Sequence, residues 1–363
     1  MLSPTLAALQ NCLSNALDDS AVGANLIAGV LGDAPSQYSK SPQLWNAAFR
    51  HLGIDGVYLP FDVDDARVGD FLRALRDCDR LLGVNVTVPH KLHVMEYLDE
   101  LDSGAARIRA VNTIVRARDG RLIGYNTDGE GFIESIFMRQ PDRPESFVRS
   151  LSGMTVVVLG AGGSARAVAF HAADHANGGR IIICNRTLEH AVSLAVEIKK
   201  AGCDALAIGE EELAACAPRA GLIVNCTTKG QGGLRKLPDG RVQWLEPYSS
   251  LAPAHPVSLP EPTAGTAAKA SQDIDANNRA SLSVARSVPP QTRFYDLIYH
   301  PEETVFLRHG RLTGHPTMNG KSLIINQAVI AFCDRICAAE LQRRGLVGRE
   351  LRRRILEIMY GAW

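Results

Sequence analysis

Met154 to Ala167 reads MTVVVLGAGGSARA, and the interpretation of the chain turns on this stretch. Met154–Leu159 is a short apolar run rich in β-branched residues, which predicts a buried strand. Gly160, Gly162 and Ala165 follow with the spacing G-x-G-x-x-A. In that pattern the first glycine permits a tight turn and the second lets a pyrophosphate approach the backbone. The small third residue lets the next helix pack close to the sheet. A helix beginning near Gly163, with Ala167, Val168, Phe170 and His171 on its apolar face, would aim its first N–H groups at anionic oxygens. A tight turn with no ligand can carry the same string. The strand before it and the helix after it favour a dinucleotide site.

Working outward, Arg180–Cys184 predicts the next strand, and Asn185, Arg186 and Thr187 stand at its end. Many NAD sites place an acid there to bind the ribose 2′-hydroxyl. This chain has none, and the Arg186 guanidinium instead suits a 2′-phosphate, with Asn185 and Thr187 as further donors. The expected cofactor is therefore NADP rather than NAD. A helix over about Glu189–Lys200 and a strand at Gly221–Cys226 continue the unit. Ser249 to Pro290 is rich in Pro, Ala and Ser, and it predicts an insertion that forms a flexible surface excursion. Phe294–Tyr299 predicts a further short strand, and Lys321–Cys337 a long helix.

Upstream, Leu26–Leu31, Val57–Leu59 and Leu82–Val88 read as strands separated by helices at Ser41–Leu52 and Val68–Leu75. Ser41 is placed to cap the first helix, Pro42 fits its first position and Gly53 stops it. The alternation predicts a second α/β domain with a largely parallel sheet. Ser39, Ser41, Asn85, Thr87 and Lys91 fall beyond the carboxyl ends of these strands, where open α/β sheets collect ligands. Hydroxyls, an amide and an ammonium suit a polyol or carboxylate. Taken singly, each also has an ordinary structural use as a cap, a strand former or a solvated lysine. Asn112, inside the predicted strand Ala110–Val115, needs a partner if buried. Asp128 opens a predicted helix and gains chemical meaning if it faces Lys91. Arg139–Ser150 reads as the interdomain link.

The 363 residues exceed one typical core. With 39 basic and 39 acidic residues, nothing draws the chain globally toward nucleic acid. The arginines of LRRRILEIMYGAW lack interleaved aromatics and predict a solvated face. No apolar run is long enough to span a membrane. The first residues lack the pattern of a secretory signal and predict a short appended helix or a loose arm. The eight scattered cysteines are expected to be reduced core thiols, which with the preceding points predicts a cytoplasmic protein. His171 and His175 are expected to be ordinary packing or surface residues, and no metal site is expected.

The motifs SKSPQLWN, NVTVPHK, AVNTI, NTDGEG, GAGGSARA, NRT, NCTTKG, YDLIYHPEET and NGKSLIINQA occur in this order from about Leu26 to Ala331. In this combination the chain resembles the shikimate dehydrogenase family, which includes quinate/shikimate dehydrogenases. The pair NVTVPHK and NTDG is specific; the glycine loop is not. The resemblance implies two open α/β domains with a cleft between them. Residues 24–138 with 316–363 would bind substrate and carry out catalysis. Residues 150–315 would form a Rossmann-like NADP-binding domain with a flexible insertion at 249–290.

The same resemblance implies a catalytic pair, Lys91 and Asp128. It places Ser39 and Ser41 on a substrate carboxylate, Asn85, Thr87, Asn112 and Gln327 on ring substituents, and Tyr299 near the substrate. Gly160, Gly162, Gly163, Ser164, Ala165, Asn185, Arg186, Thr187, Thr227 and Gly320 would hold the cofactor. The implied activity is reversible hydride transfer between NADP(H) and the 3-dehydroshikimate/shikimate pair. Quinate, an amino-shikimate or another cyclitol acid stays open as substrate, as does a regulatory binding protein that kept the fold. The implied partner is a small cyclic hydroxy acid, with no nucleic acid or membrane, and the protein is expected to be a monomer or homodimer. Tyr38, Trp45, His190, Lys229 and Gln231 depart from the family pattern, and Tyr38 and Trp45 leave room for a reshaped substrate pocket.

Overall fold

The computed structural model describes residues 3–17, 23–236, 241–256, 258–259 and 264–363. Two compact units emerge. One comprises Met1–Ser135, Arg139–Glu145 and Leu323–Trp363; the other comprises Ile136–Met138 and Ser146–Ser322.

In the first unit, strands β1 (Leu26–Gly32), β2 (Gly56–Asp62), β3 (Leu81–Val86), β4 (Glu100–Leu101), β5 (Thr113–Arg116) and β6 (Leu122–Tyr125) form one sheet. Its order is β2-β1-β3-β5-β6-β4. β1 pairs in parallel with both β2 and β3, whereas β5 runs antiparallel to β3 and β6. The sheet is therefore mixed, and the expectation of a largely parallel one holds only for its first three strands. The cause is local: a tight turn joins β5 to β6, and so short a connection permits only antiparallel pairing.

Both faces of this sheet are covered, which explains why β1 is apolar throughout. Ile27 and Leu31 join Phe61, Phe71, Leu72 and Leu75 on one side. Ala28 and Val30 join Trp45, Tyr58, Ile325 and Phe332 on the other. The helix Pro4–Gln10 buries Leu6 and Leu9 in the first of these cores, so the N-terminal segment is a packed helix rather than a loose arm. Ser41 does not cap the helix Ser41–Leu52: Lys40 holds the cap position, and its side chain makes no capping bond. Ser41 instead donates its backbone N–H to Ser39 Oγ at 3.2 Å. Gly53 ends that helix in the left-handed region, as its position in the sequence implies.

The second unit contains β7 (Thr155–Leu159), β8 (Arg180–Cys184), β9 (Asp204–Ile208) and β10 (Leu222–Asn225). There follow three short strands, β11 (Leu234–Lys236), β12 (Val242–Trp244) and β13 (Ser258–Leu259), and finally β14 (Arg293–Asp296) and β15 (Thr317–Met318). The main sheet is parallel in every pairing and ordered β15-β14-β10-β7-β8-β9, while β11-β12-β13 form a small antiparallel sheet. Strand order reverses between β7 and β10, the crevice where doubly wound sheets bind ligands. Because β15 pairs with β14, residues 316–322 belong to this unit and not to the substrate-binding domain expected from sequence.

The expected flexible insertion at 249–290 is corrected most strongly. Of this segment, residues 257 and 260–263 lie outside the described ones, and Ala264–Ser287 is a 24-residue helix. Val284, Ala285 and Val288 are buried against Phe294, Phe306 and Leu307. Asn277 donates to the carbonyls of Ser249, Ala252 and Pro253 and accepts the N–H of Ser249. Few apolar residues mark the helix because its described packing rests on Val284 and Ala285 near its C-terminal end and on this amide clamp. Alanine is nonetheless the strongest helix former. The expected helix Lys321–Cys337 also differs: it is α-helical over Lys321–Ile330 and continues as a π-helix over Ala331–Ile336.

Candidate active site

In the first unit, β3 ends in the segment that carries Thr87 and Lys91, and the helix Asp128–Phe137 starts directly after β6. Lys91 Nζ donates to Asp128 Oδ2 at 2.6 Å, with the two side chains 15% and 7% exposed. A shielded pair of this kind holds the ammonium in one place, which an exposed pair would not. Asn112 fixes the other carboxylate oxygen, donating to Asp128 Oδ1 at 2.8 Å. Its carbonyl oxygen accepts the N–H of Thr127 at 2.7 Å, and its amide reaches Thr127 Oγ1 at 3.0 Å and Gln327 Oε1 at 3.4 Å. The buried amide predicted to need partners therefore connects Asp128 to Gln327. Gly131 lets the helices carrying Asp128 and Gln327 approach: a Cβ there would stand 2.7 Å from the Gln327 nitrogen.

A second polar chain meets this one at Thr113. Asn85 donates to Thr113 Oγ1 at 3.0 Å, and Thr113 donates to Asn112 Oδ1 at 3.0 Å. Tyr58 donates its phenol to Asn85 Oδ1 at 2.8 Å. Ser41 bonds the same phenol, whose pKa burial pushes well up. Lys91, Asp128, Asn112, Gln327, Asn85 and Ser41 are thus gathered by direct contacts, and Ser39 joins them through the backbone of Ser41. Thr87 anchors to β1 by donating its N–H to the Leu31 carbonyl. Sequence reasoning missed Tyr58, Thr113 and Thr127. Each lies in or beside a strand whose apolar character hides a polar tip; Thr113, within AVNTI, and Thr127, within NTDG, were open to recognition through their motifs, and Tyr58 was not.

The two aromatic departures now have explanations. Trp45 is fully buried, stacked on Tyr58 with ring centroids 4.6 Å apart and edge-on to Phe332, so it packs the core. Tyr38 donates its hydroxyl to Asp33 at 2.9 Å.

The cofactor candidates lie together in the second unit. Gly160 has φ +110, a conformation that disfavours other residues. Gly162 caps the helix Gly163–Ala176 with no side-chain hydrogen bond, and a Cβ there would meet nothing within 4 Å. The protein's own packing therefore does not require glycine at 162, whereas close approach of a phosphate would. Ala165 is fully buried where the helix meets the sheet. Asn185 donates its amide to the Thr187 carbonyl at 2.8 Å, and Thr187 holds the N-cap position of the helix Leu188–Lys200. Arg186 is exposed and has no acidic partner among the described residues. Thr227 donates its hydroxyl to Asn225 Oδ1 at 2.7 Å. Gly320 is required sterically, since a Cβ would lie 2.0 Å from the Leu297 carbonyl oxygen. Tyr299 is in the same unit, its phenol pushed up by burial. Lys229 pairs with Glu210 at 2.8 Å, which makes this departure a structural ion pair. These features fit a 2′-phosphorylated dinucleotide.

Comparison with known proteins bears on the same two units. The shikimate dehydrogenase substrate binding domain model matches residues 30–114, and the shikimate/quinate 5-dehydrogenase model matches residues 144–236. A shikimate dehydrogenase (NADP(+)) of Symbiobacterium thermophilum is 37% identical over 314 residues, covering 85% of this chain and 88% of that one. A crystal structure of shikimate 5-dehydrogenase from Thermus thermophilus in complex with NADP(H) and shikimate has 27% identity and a TM-score of 0.62. It covers 93% of this chain and 100% of that one. A shikimate dehydrogenase solved in complex with NADP+ has 28% identity and a TM-score of 0.65, covering 94% and 97%. Both units are thus matched by models of one family and the chain is 37% identical to a curated member over 85% of its length, and the chain belongs to the shikimate dehydrogenase family.

Proposed function

We propose that this chain is an NADP-dependent shikimate dehydrogenase, interconverting 3-dehydroshikimate and shikimate. The observation that carries this reading is the shielded Lys91–Asp128 pair, held by Asn112 within a buried polar network. NADP(H), when bound, supplies the hydride chemistry. The chain's residues handle charge and orientation. As a carbonyl becomes an alcohol, its oxygen gains negative charge and needs a proton. Lys91 stabilises that charge and relays the proton, and Asp128 orients Lys91 and a substrate hydroxyl. Ser39 and Ser41 hold the carboxylate. Asn85, Thr87, Asn112 and Gln327 read the ring hydroxyls, with Tyr299 near the substrate. In the nucleotide unit, Gly160, Gly162, Gly163, Ser164 and Ala165 with Thr227 and Gly320 receive the cofactor, and Asn185, Arg186 and Thr187 receive its 2′-phosphate.

A site built to hydrogen-bond each hydroxyl rejects analogues that leave its polar groups unpaired. Trp45 is wholly buried and stacked on Tyr58, so its indole does not itself line the carboxylate end, and we favour shikimate over quinate as substrate. The test is kcat/KM for shikimate and quinate with NADP and NAD, repeated on Ser39→Ala and Ser41→Ala. Shikimate with NADP should give the highest value, and both variants should raise the substrate KM. Preference for quinate would move the substrate assignment. No turnover of either acid with intact NADP binding would favour another cyclitol acid or a regulatory role. Among the described residues no helix is long and apolar enough to cross a membrane. We place the enzyme in the cytoplasm, where its eight free thiols stay reduced, acting as a monomer or homodimer without nucleic-acid partners.

A further inference from the structure

His90 is wholly buried in the first unit, one residue before Lys91 in the chain. Its Nε2 bonds the Val63 carbonyl at 2.8 Å. A carbonyl can only accept, so this contact requires a proton on Nε2, and in the neutral ring Nδ1 then carries a lone pair. That Nδ1 has no hydrogen-bond partner, although Asp65 Oδ1 lies 3.3 Å away. A neutral ring nitrogen and a carboxylate oxygen facing each other are repulsive unless a proton or a metal cation lies between them. His93 brings a third group: its Nδ1 is 2.8 Å from the same Asp65 oxygen, and its Nε2 is 3.3 Å from the Tyr97 hydroxyl. The three potential ligand atoms lie within 4.8 Å of one another.

We propose that Asp65, His90 and His93 form a site for one divalent transition metal ion of the zinc class, separate from the Lys91–Asp128 pair. Ligand atoms about 2.0–2.1 Å from a tetrahedral zinc ion stand roughly 3.3 Å apart. The Asp65–His90 spacing already has this value. The Asp65–His93 contact must lengthen slightly as the His93 Nδ1 proton is displaced, with the other ring nitrogen then donating to Tyr97. The His90–Val63 bond is the outer-shell contact that metal-bound imidazoles ordinarily make, fixing tautomer and ring plane. Two imidazoles and one carboxylate suit zinc, cobalt or nickel better than magnesium or calcium, and a water completes the fourth position. Asp65 is far from the histidines in sequence, which explains why no ligand spacing was visible there.

The test uses the full chain, freed of metal by chelation and of any affinity tag, titrated with zinc against a chromophoric chelator and separately with cobalt. One equivalent of zinc should bind. Cobalt should give the visible absorption of a tetrahedral nitrogen and oxygen site without a thiolate charge-transfer band. His93→Ala and Asp65→Ala, which spare the buried His90, should each weaken zinc binding by at least 10-fold, while magnesium should not compete. No stoichiometric binding, unchanged affinity in both variants, or a thiolate band placing the ion on a cysteine would each overturn the assignment.

Discussion

Asn277→Ala tests whether the helix Ala264–Ser287 belongs to the core of the nucleotide unit. Asn277 is 3% exposed, and Ser249, which it clamps, is fully buried. The substitution leaves the Ser249 N–H without its acceptor at 2.8 Å and the Ser249 carbonyl without its donor at 3.0 Å. The Ala252 carbonyl keeps a bond from Lys229, and the Pro253 carbonyl is only part-buried. Two buried backbone groups thus go unpaired, at about 1–3 kcal/mol each. Alanine's better helix propensity returns roughly 0.6 kcal/mol. The net cost should be about 3 kcal/mol, which for a unit of this size lowers Tm by roughly 6–12 °C. The assay is thermal unfolding followed by circular dichroism. Asn278→Ala is the control, because its main acceptor, the Pro247 carbonyl, is only part-buried. A Tm for Asn277→Ala within about 2 °C of the parent would refute the reasoning and restore the helix to the status of an appendage.

Two further outcomes follow from the nucleotide unit. Arg186→Ala should raise KM for NADP by about 10-fold or more while changing that for NAD far less, since a charge-assisted contact to phosphate is lost; equal changes for both cofactors would reject the assignment. Burial pushes the Asp296 carboxyl up to about 7, against donors from Thr304, Ile298 and Asn225. Between the ordinary aspartate value and about 7 the folded state holds the extra proton, so this residue's contribution is complete below about pH 4 and is lost as pH rises toward 7. Asp296→Asn should therefore remove a decline in Tm between about pH 4 and pH 7, and parallel profiles for parent and variant would count against it.

How far the sequence could be read depended on how local each signal was. The strand-turn-helix around Gly160 was legible because glycine spacing and apolar runs act within a few residues. Lys91 and Asp128 are joined as a pair only by the family resemblance, not by their spacing: their 2.6 Å contact depends on how the chain folds around β3, β6 and Asn112. Gln327 likewise reaches Asn112 from the far end of the chain, and only the steric need for Gly131 explains how closely the two helices approach. Tyr58 escaped notice because a tyrosine in an apolar strand reads as core, which its ring is; its hydroxyl alone contacts Ser41 and Asn85. The helix Ala264–Ser287 was misread for a related reason. Its buried apolar residues among those described are Val284 and Ala285, with Val288 just beyond its end, and Asn277 clamps it farther up. Periodicity cannot register that arrangement.

The most direct test of the catalytic assignment is the steady-state turnover of Lys91→Ala, measured as shikimate-dependent reduction of NADP at saturating substrate and compared with the parent. Removal of a positioned proton-transfer group should lower kcat by about 100-fold or more, with a much smaller change in substrate KM and an unchanged NADP affinity. A Lys91→Ala enzyme that folds, binds NADP and turns over at close to the parent rate would contradict it.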